Sequence, residues 1–152
     1  MRIIVTLIFT SFFSAICGIA LLFAPPEWKA QKFIELKKDE FYVLTLQADA
    51  TQKTLFFRWT LLKNKGLVVH LNYDSFPHQF ILYQDYQRAC YEIPLWKAEQ
   101  RYYTREPFFM LCFKDYHRAK KIATLKFYIY EGSRDFKIIN ERKVLNGGFN
   151  TY

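Results

Sequence analysis

The chain has 152 residues, a formal net charge of +8, and is 51% hydrophobic and 20% aromatic. That length holds one domain beside a short terminal segment, and five glycines and five prolines exclude a collagen-like tract or a long flexible linker. The basic balance excludes an acidic solvating chain; it suits nucleic acid, anionic lipid or acidic protein, although A/T-rich codon usage raises lysine and aromatics together without any selection for binding.

Residues 3–24 (IIVTLIFTSFFSAICGIALLFA) carry no charged side chain. As a helix rising about 1.5 Å per residue they reach roughly 33 Å, enough for a hydrocarbon core of ~30 Å. A helix satisfies its own backbone there, and Pro25 and Pro26 end it. Ile3, Phe9, Phe12, Leu21 and Leu22 are expected in lipid and Trp28 at the interface, with Lys29 and Lys32 among headgroups. Residues 1–26 are therefore expected to be a transmembrane signal-anchor helix. A cleaved signal peptide fits less well. The run exceeds the usual apolar core, and the small-x-small pair Gly18-x-Ala20 falls inside it. The residues before Cys17 lack a lipidation pattern. A plain Lys/Arg count would keep Lys29, Lys32, Lys37 and Lys38 in the cytoplasm, but a tiny positive N-terminus with the whole domain behind it reads as a translocating anchor. The expected localisation is a single-pass membrane protein with an extracytoplasmic domain, periplasmic in a Gram-negative cell.

Residues 27–40 read as a juxtamembrane stalk or short helix. From residue 41 the pattern has period two. Tyr42, Leu44 and Leu46 alternate with Val43, Thr45 and Gln47; Leu55, Phe57, Trp59 and Leu61 alternate with Thr54, Phe56, Arg58 and Thr60. After Lys63-Asn64-Lys65-Gly66 come Leu67, Val69, Leu71 and Tyr73, which predicts a β-hairpin. Further strands are predicted over 79–84, 89–95, 109–114 and 125–130, with Pro94 at a strand end and a loop or helical turn over 96–106. A last hairpin is expected from 136–139 and 143–145 around Asn140-Glu141-Arg142, and residues 147–152 as a flexible tail. The fold class is mainly β: an N-terminal transmembrane helix, then an antiparallel β-sandwich or small barrel over 41–146.

Catalytic motifs are few. Ser75 has no flanking glycine, so a nucleophile elbow is excluded. His70, His78 and His117 form no zinc-binding spacing; His70, Asp74 and His78 make at most a loose cluster. The chain is read as a non-enzyme without cofactor. Cys90 and Cys112 either form a disulfide or remain buried thiols. Basic clusters occur at Lys114, Arg118, Lys120 and Lys121, and at Arg134, Lys137, Arg142 and Lys143, yet a membrane location disfavours nucleic acid. Aromatic and arginine residues expected to face outward, Tyr42, Phe56, Arg58, Tyr83, Tyr102, Tyr103, Tyr128 and Tyr130, point to a protein interface, because both faces of several strands are apolar. The expected function is a membrane-anchored interaction module in a cell-envelope assembly of the motor, secretion or pilus type, acting in an oligomer or hetero-complex. A type IV pilin is excluded, since the apolar segment has no glutamate. The alternative is a monomeric envelope domain that binds a small ligand, glycan or anionic lipid through a basic aromatic surface.

Overall fold

A computed structural model describes residues 28–84, 89–96, 106–132 and 135–145. The predicted anchor (Ile3, Phe9, Phe12, Leu21, Leu22), Tyr102, Tyr103, Arg134 and the tail 147–152 lie outside those residues, as does most of the segment 96–106. No helix among the described residues is long and apolar enough to cross a membrane.

Nine strands follow one another: β1 Trp28–Lys37, β2 Phe41–Ala48, β3 Thr51–Lys63, β4 Gly66–Tyr73, β5 Phe76–Tyr83, β6 Cys90–Pro94, β7 Phe108–His117, β8 Ile122–Tyr130 and β9 Lys137–Val144. They form two antiparallel sheets. The first has the order β1-β8-β7-β6, the second β5-β4-β3-β2-β9. The result is a β-sandwich.

The period-two runs explain the packing. Along β8, Ala123, Leu125, Phe127 and Ile129 are buried while Thr124, Lys126, Tyr128 and Tyr130 are partly exposed. Alternate residues of a strand point to opposite faces, so each strand contributes one row to the core. The inner rows of the second sheet are Leu44, Leu46, Leu55, Phe57, Trp59, Leu67, Val69 and Leu71. Facing rows from the first sheet include Leu36, Phe109, Leu111 and Phe113. Rings cross the interface: Phe57 lies 5.8 Å from Phe109, and Tyr42 lies 5.9 Å from Phe127. The indole Nε1 of Trp59 donates to the Leu36 carbonyl at 2.9 Å, a buried bond between the two sheets.

Two-residue turns use left-handed backbone. Asn64-Lys65 and Asp74-Ser75 all have positive φ, as tight hairpins with the strands' own twist require. Gly66 follows the first of these. A Cβ there would come within 2.9 Å of both Ile81 and Tyr83, so the cross-strand side chains of β5 occupy the place of a side chain.

Three expectations are corrected. The span 27–40 is no stalk: β1 is a ten-residue edge strand paired with β8 throughout, because Ile34 and Leu36 alternate into the core. The hairpin expected around Asn140-Glu141-Arg142 is instead one continuous strand, β9, which pairs along β2 from Phe41↔Val144 to Gln47↔Lys137 with a register shift between Thr45 and Leu46. Tyr42 does not face outward. It shares the parity of Leu44 and Leu46 and is 3% exposed.

Candidate interaction surface

The sequence-predicted interface residues do not gather on one surface. Phe56 and Arg58 lie on the outer face of the second sheet. There Arg58 sits 5.0 Å above the Phe41 ring and 3.7 Å from Asp39. Tyr83 ends β5, at the edge of that same sheet. Tyr128 and Tyr130 lie on the outer face of the first sheet, on the opposite side of the sandwich. Parity along a strand says which residues share a face, and sheet membership decides which face that is.

Around Tyr128 and Tyr130 the structure builds a continuous aromatic stripe. Trp28 is the key to it. A β-bulge falls between Trp28 and Ala30, so that Trp28 pairs with Tyr130 but Ala30 pairs with the inward Ile129. Two residues that would share a face are thus split, and the indole is turned outward. Its ring lies 4.9 Å from Tyr128, 5.7 Å from Phe108 and 6.4 Å from Tyr130. Phe108 and Tyr130 are themselves 5.2 Å apart. The stripe continues through Lys126, whose ammonium sits 4.6 Å from the Tyr128 ring and 4.9 Å from the Phe33 ring. Cation–π contacts of this kind hold a lysine over an aromatic surface with its charge still in water.

Phe33 is 61% exposed. Trp28, Tyr128 and Tyr130 are half-buried, and Phe108 is covered by its ring neighbours. Among the described residues no helix covers this face. Phe33, Phe108 and Lys126 escaped the sequence reading. Phe33 carried a signal: it alternates with Ile34 and Leu36 and so had to face away from the core.

The sulfurs of Cys90 and Cys112 are bonded, joining directly opposed residues of β6 and β7 with Cα atoms 4.0 Å apart. This bond fastens the short edge strand β6 to its sheet.

A cleft of about 570 Å³ opens between the edge strands β1 and β9. Glu141 lines it and accepts hydrogen bonds from Lys32 and from the Tyr42 hydroxyl. Burial works to raise the Glu141 carboxyl, but Lys32 and Tyr42 prevail and hold it below its ordinary value of 4.5. Burial, then the hydrogen bond to Glu141 and lastly its charge, push the Tyr42 phenol well above its ordinary value of 10.0. This group is internally satisfied, so it closes the seam between the sheets.

The loose histidine cluster is not assembled. His70 lies 3.1 Å from the Thr60 hydroxyl, and His78 packs edge-on against Tyr91. No group of three metal-ligating side chains occurs among the described residues. Lys114, Arg118, Lys120 and Lys121 lie at the end of β7 and on the β7–β8 turn, while Lys137, Arg142 and Lys143 lie on β9. No protein family model, curated protein or solved structure matches this chain.

Proposed function

We propose that the chain is a single-pass membrane protein whose β-sandwich is a protein–protein interaction module on the extracytoplasmic side, a component of a larger cell-envelope assembly. One observation carries this reading: the outer face of the first sheet bears an aromatic stripe from Trp28 to Phe33, and that stripe starts where the apolar segment 3–24 and its two prolines end. Half-exposed tryptophan and tyrosine beside a basic group are the residue types that anchor interfaces. The Cys90–Cys112 bond supports the extracytoplasmic side, because disulfides persist in oxidising compartments. Binding, rather than catalysis, is the role this surface suits.

A photo-crosslinking residue placed at position 33 of the full chain, in native membranes, tests the reading. It is expected to trap one discrete protein, and Trp28→Ala with Tyr128→Ala to abolish the adduct. The same probe at Gln79, exposed on the other side of the sandwich, is the control. Equal labelling at both positions, or protease access to the domain from the cytoplasmic side, counts against it.

A further inference from the structure

A second cleft, of about 490 Å³, lies at the end of the sandwich away from Trp28. Small-molecule sites have this size. Its apolar lining is Leu61, 50% exposed, with Leu62 and Tyr116; the Tyr116 ring meets the buried Trp59 edge-on at 5.8 Å. Its rim carries Lys38 from the β1–β2 turn, Lys65 from the β3–β4 turn, and Arg118 and Lys121 from the β7–β8 turn. No carboxylate is among the lining residues.

Among the described residues, three acids of this end have partners away from the cleft. Asp39 faces Arg58 at 3.7 Å. Glu40 accepts the Lys37 backbone N–H at 2.9 Å. Asp115 accepts the Tyr116 backbone N–H at 2.7 Å and the Gln84 amide at 3.4 Å. Among the described residues no ion pair engages any of the four rim cations. Four positive charges around one concavity repel each other and raise the local potential for an anion. Two of them also sit in left-handed backbone, Lys65 at φ 62° and Lys121 at φ 53°. Glycine would hold both turns with less strain, so each lysine can be exchanged for glycine without disturbing the backbone.

We infer that this cleft binds a phosphate monoester carrying a ring or apolar body. Lysine ammonium groups act as point charges toward phosphate, and the Arg118 guanidinium supplies a two-pronged donor. Leu61, Leu62 and the Tyr116 ring take the ester's body. The inference stands apart from the membrane reading: it concerns another surface, and binding would persist whichever side of a membrane the domain occupies.

The test is calorimetric titration of the full chain in non-ionic detergent with naphthyl phosphate, naphthol, inorganic phosphate and dihexanoyl phosphatidic acid. Naphthyl phosphate is expected to bind at least about tenfold tighter than naphthol or phosphate alone, and more weakly as salt rises. Lys65→Gly and Lys121→Gly are each expected to weaken it about tenfold, the cost of one charge-assisted contact. Neither is expected to lower the thermal midpoint, because glycine suits both backbones. Lys137→Gln with Lys143→Gln removes the same kind of charge from β9 and is expected to leave affinity unchanged. No binding of naphthyl phosphate, or equal losses in the cleft and β9 variants, would overturn the inference. The phosphate's source follows from the last ligand: phosphatidic acid binding tighter than naphthyl phosphate assigns a lipid headgroup, and the reverse order a soluble ester; both support the cleft as the site.

Discussion

The two ends of the sandwich solve the same problem with opposite chemistry. Strands alternate direction, so the β2–β3 and β4–β5 turns and the first residues of β7 and β9 lie toward Trp28, and the β1–β2, β3–β4 and β7–β8 turns lie at the far end. Toward Trp28 two lysines are ion-paired. Lys29 reaches Glu131 at 2.7 Å and Asp135 at 3.3 Å, and Lys53 reaches Asp74 at 3.1 Å. Aromatic rings close that end, with Trp96 and Phe136 5.1 Å apart and the Trp28 stripe beside them. At the far end the lysines and Arg118 stand around an open cleft without partners among the described residues. A sheet scaffold tolerates unpaired charge at turns because water solvates it there. Stability is concentrated in the core that both ends share, because exposed ion pairs add little and the bond from Trp59 to Leu36 is buried.

The sharpest test of that division is the shared core. Phe127→Ala removes a fully buried ring that meets Phe109 and Tyr42, each at 5.9 Å, and is expected to cost about 3–5 kcal/mol in urea denaturation. A loss of this size in an intact β-fold confirms that one core serves both ends. Next comes the edge strand β6. Cys90→Ser with Cys112→Ser opens a link across 22 positions and is expected to cost about 3 kcal/mol, matched by the wild type under reducing conditions. Trp59→Phe follows. It leaves the buried Leu36 carbonyl without the indole donor and is expected to cost about 1–3 kcal/mol, loosening the far end first by amide exchange.

The seam at Glu141 gives a pH signature. Its carboxyl is held below 4.5, so the stability it contributes is present above that value and is lost as pH falls through the depressed folded value. Tyr42 is held above 10.0, so its contribution is full below that pH and is lost as the unfolded phenol ionises above it. The thermal midpoint is expected to fall on both sides, and Glu141→Gln to flatten the acid limb. The smallest effect is also the most discriminating, because the two ends differ in sign. Lys29→Ala is expected to destabilise by less than about 1 kcal/mol, fading with salt. Lys65→Gly is expected to stabilise by about 0.5–1 kcal/mol, since relief of left-handed strain exceeds the entropy glycine adds to the unfolded chain.

Much of the sheet content was legible. The strands β3, β4 and β8 largely alternate because one face of each is buried, β2 and β7 are apolar on both faces, and Asn64 marked the β3–β4 hairpin. The strands that were misread, β1 and β9, are both sheet edges. An edge strand needs few apolar residues: β1 has two fully buried positions, and β9 has none. Their lysines, which blunt an exposed edge, look in sequence like a stalk or a turn.

What the amino-acid sequence determined by itself is local. Alternation with period two set which side chains of each central strand share a face, and charge-free residues 3–24 marked a segment of membrane length. Tertiary structure alone decided the rest. Sheet membership put Phe56 and Tyr128 on opposite sides of the molecule, and one bulge turned Trp28 outward. Lys38, Lys65, Arg118 and Lys121 meet at one cleft because antiparallel strands return every second turn to the same end. Local periodicity reports a residue's surroundings along its own strand; proximity between distant turns depends on how whole sheets are stacked.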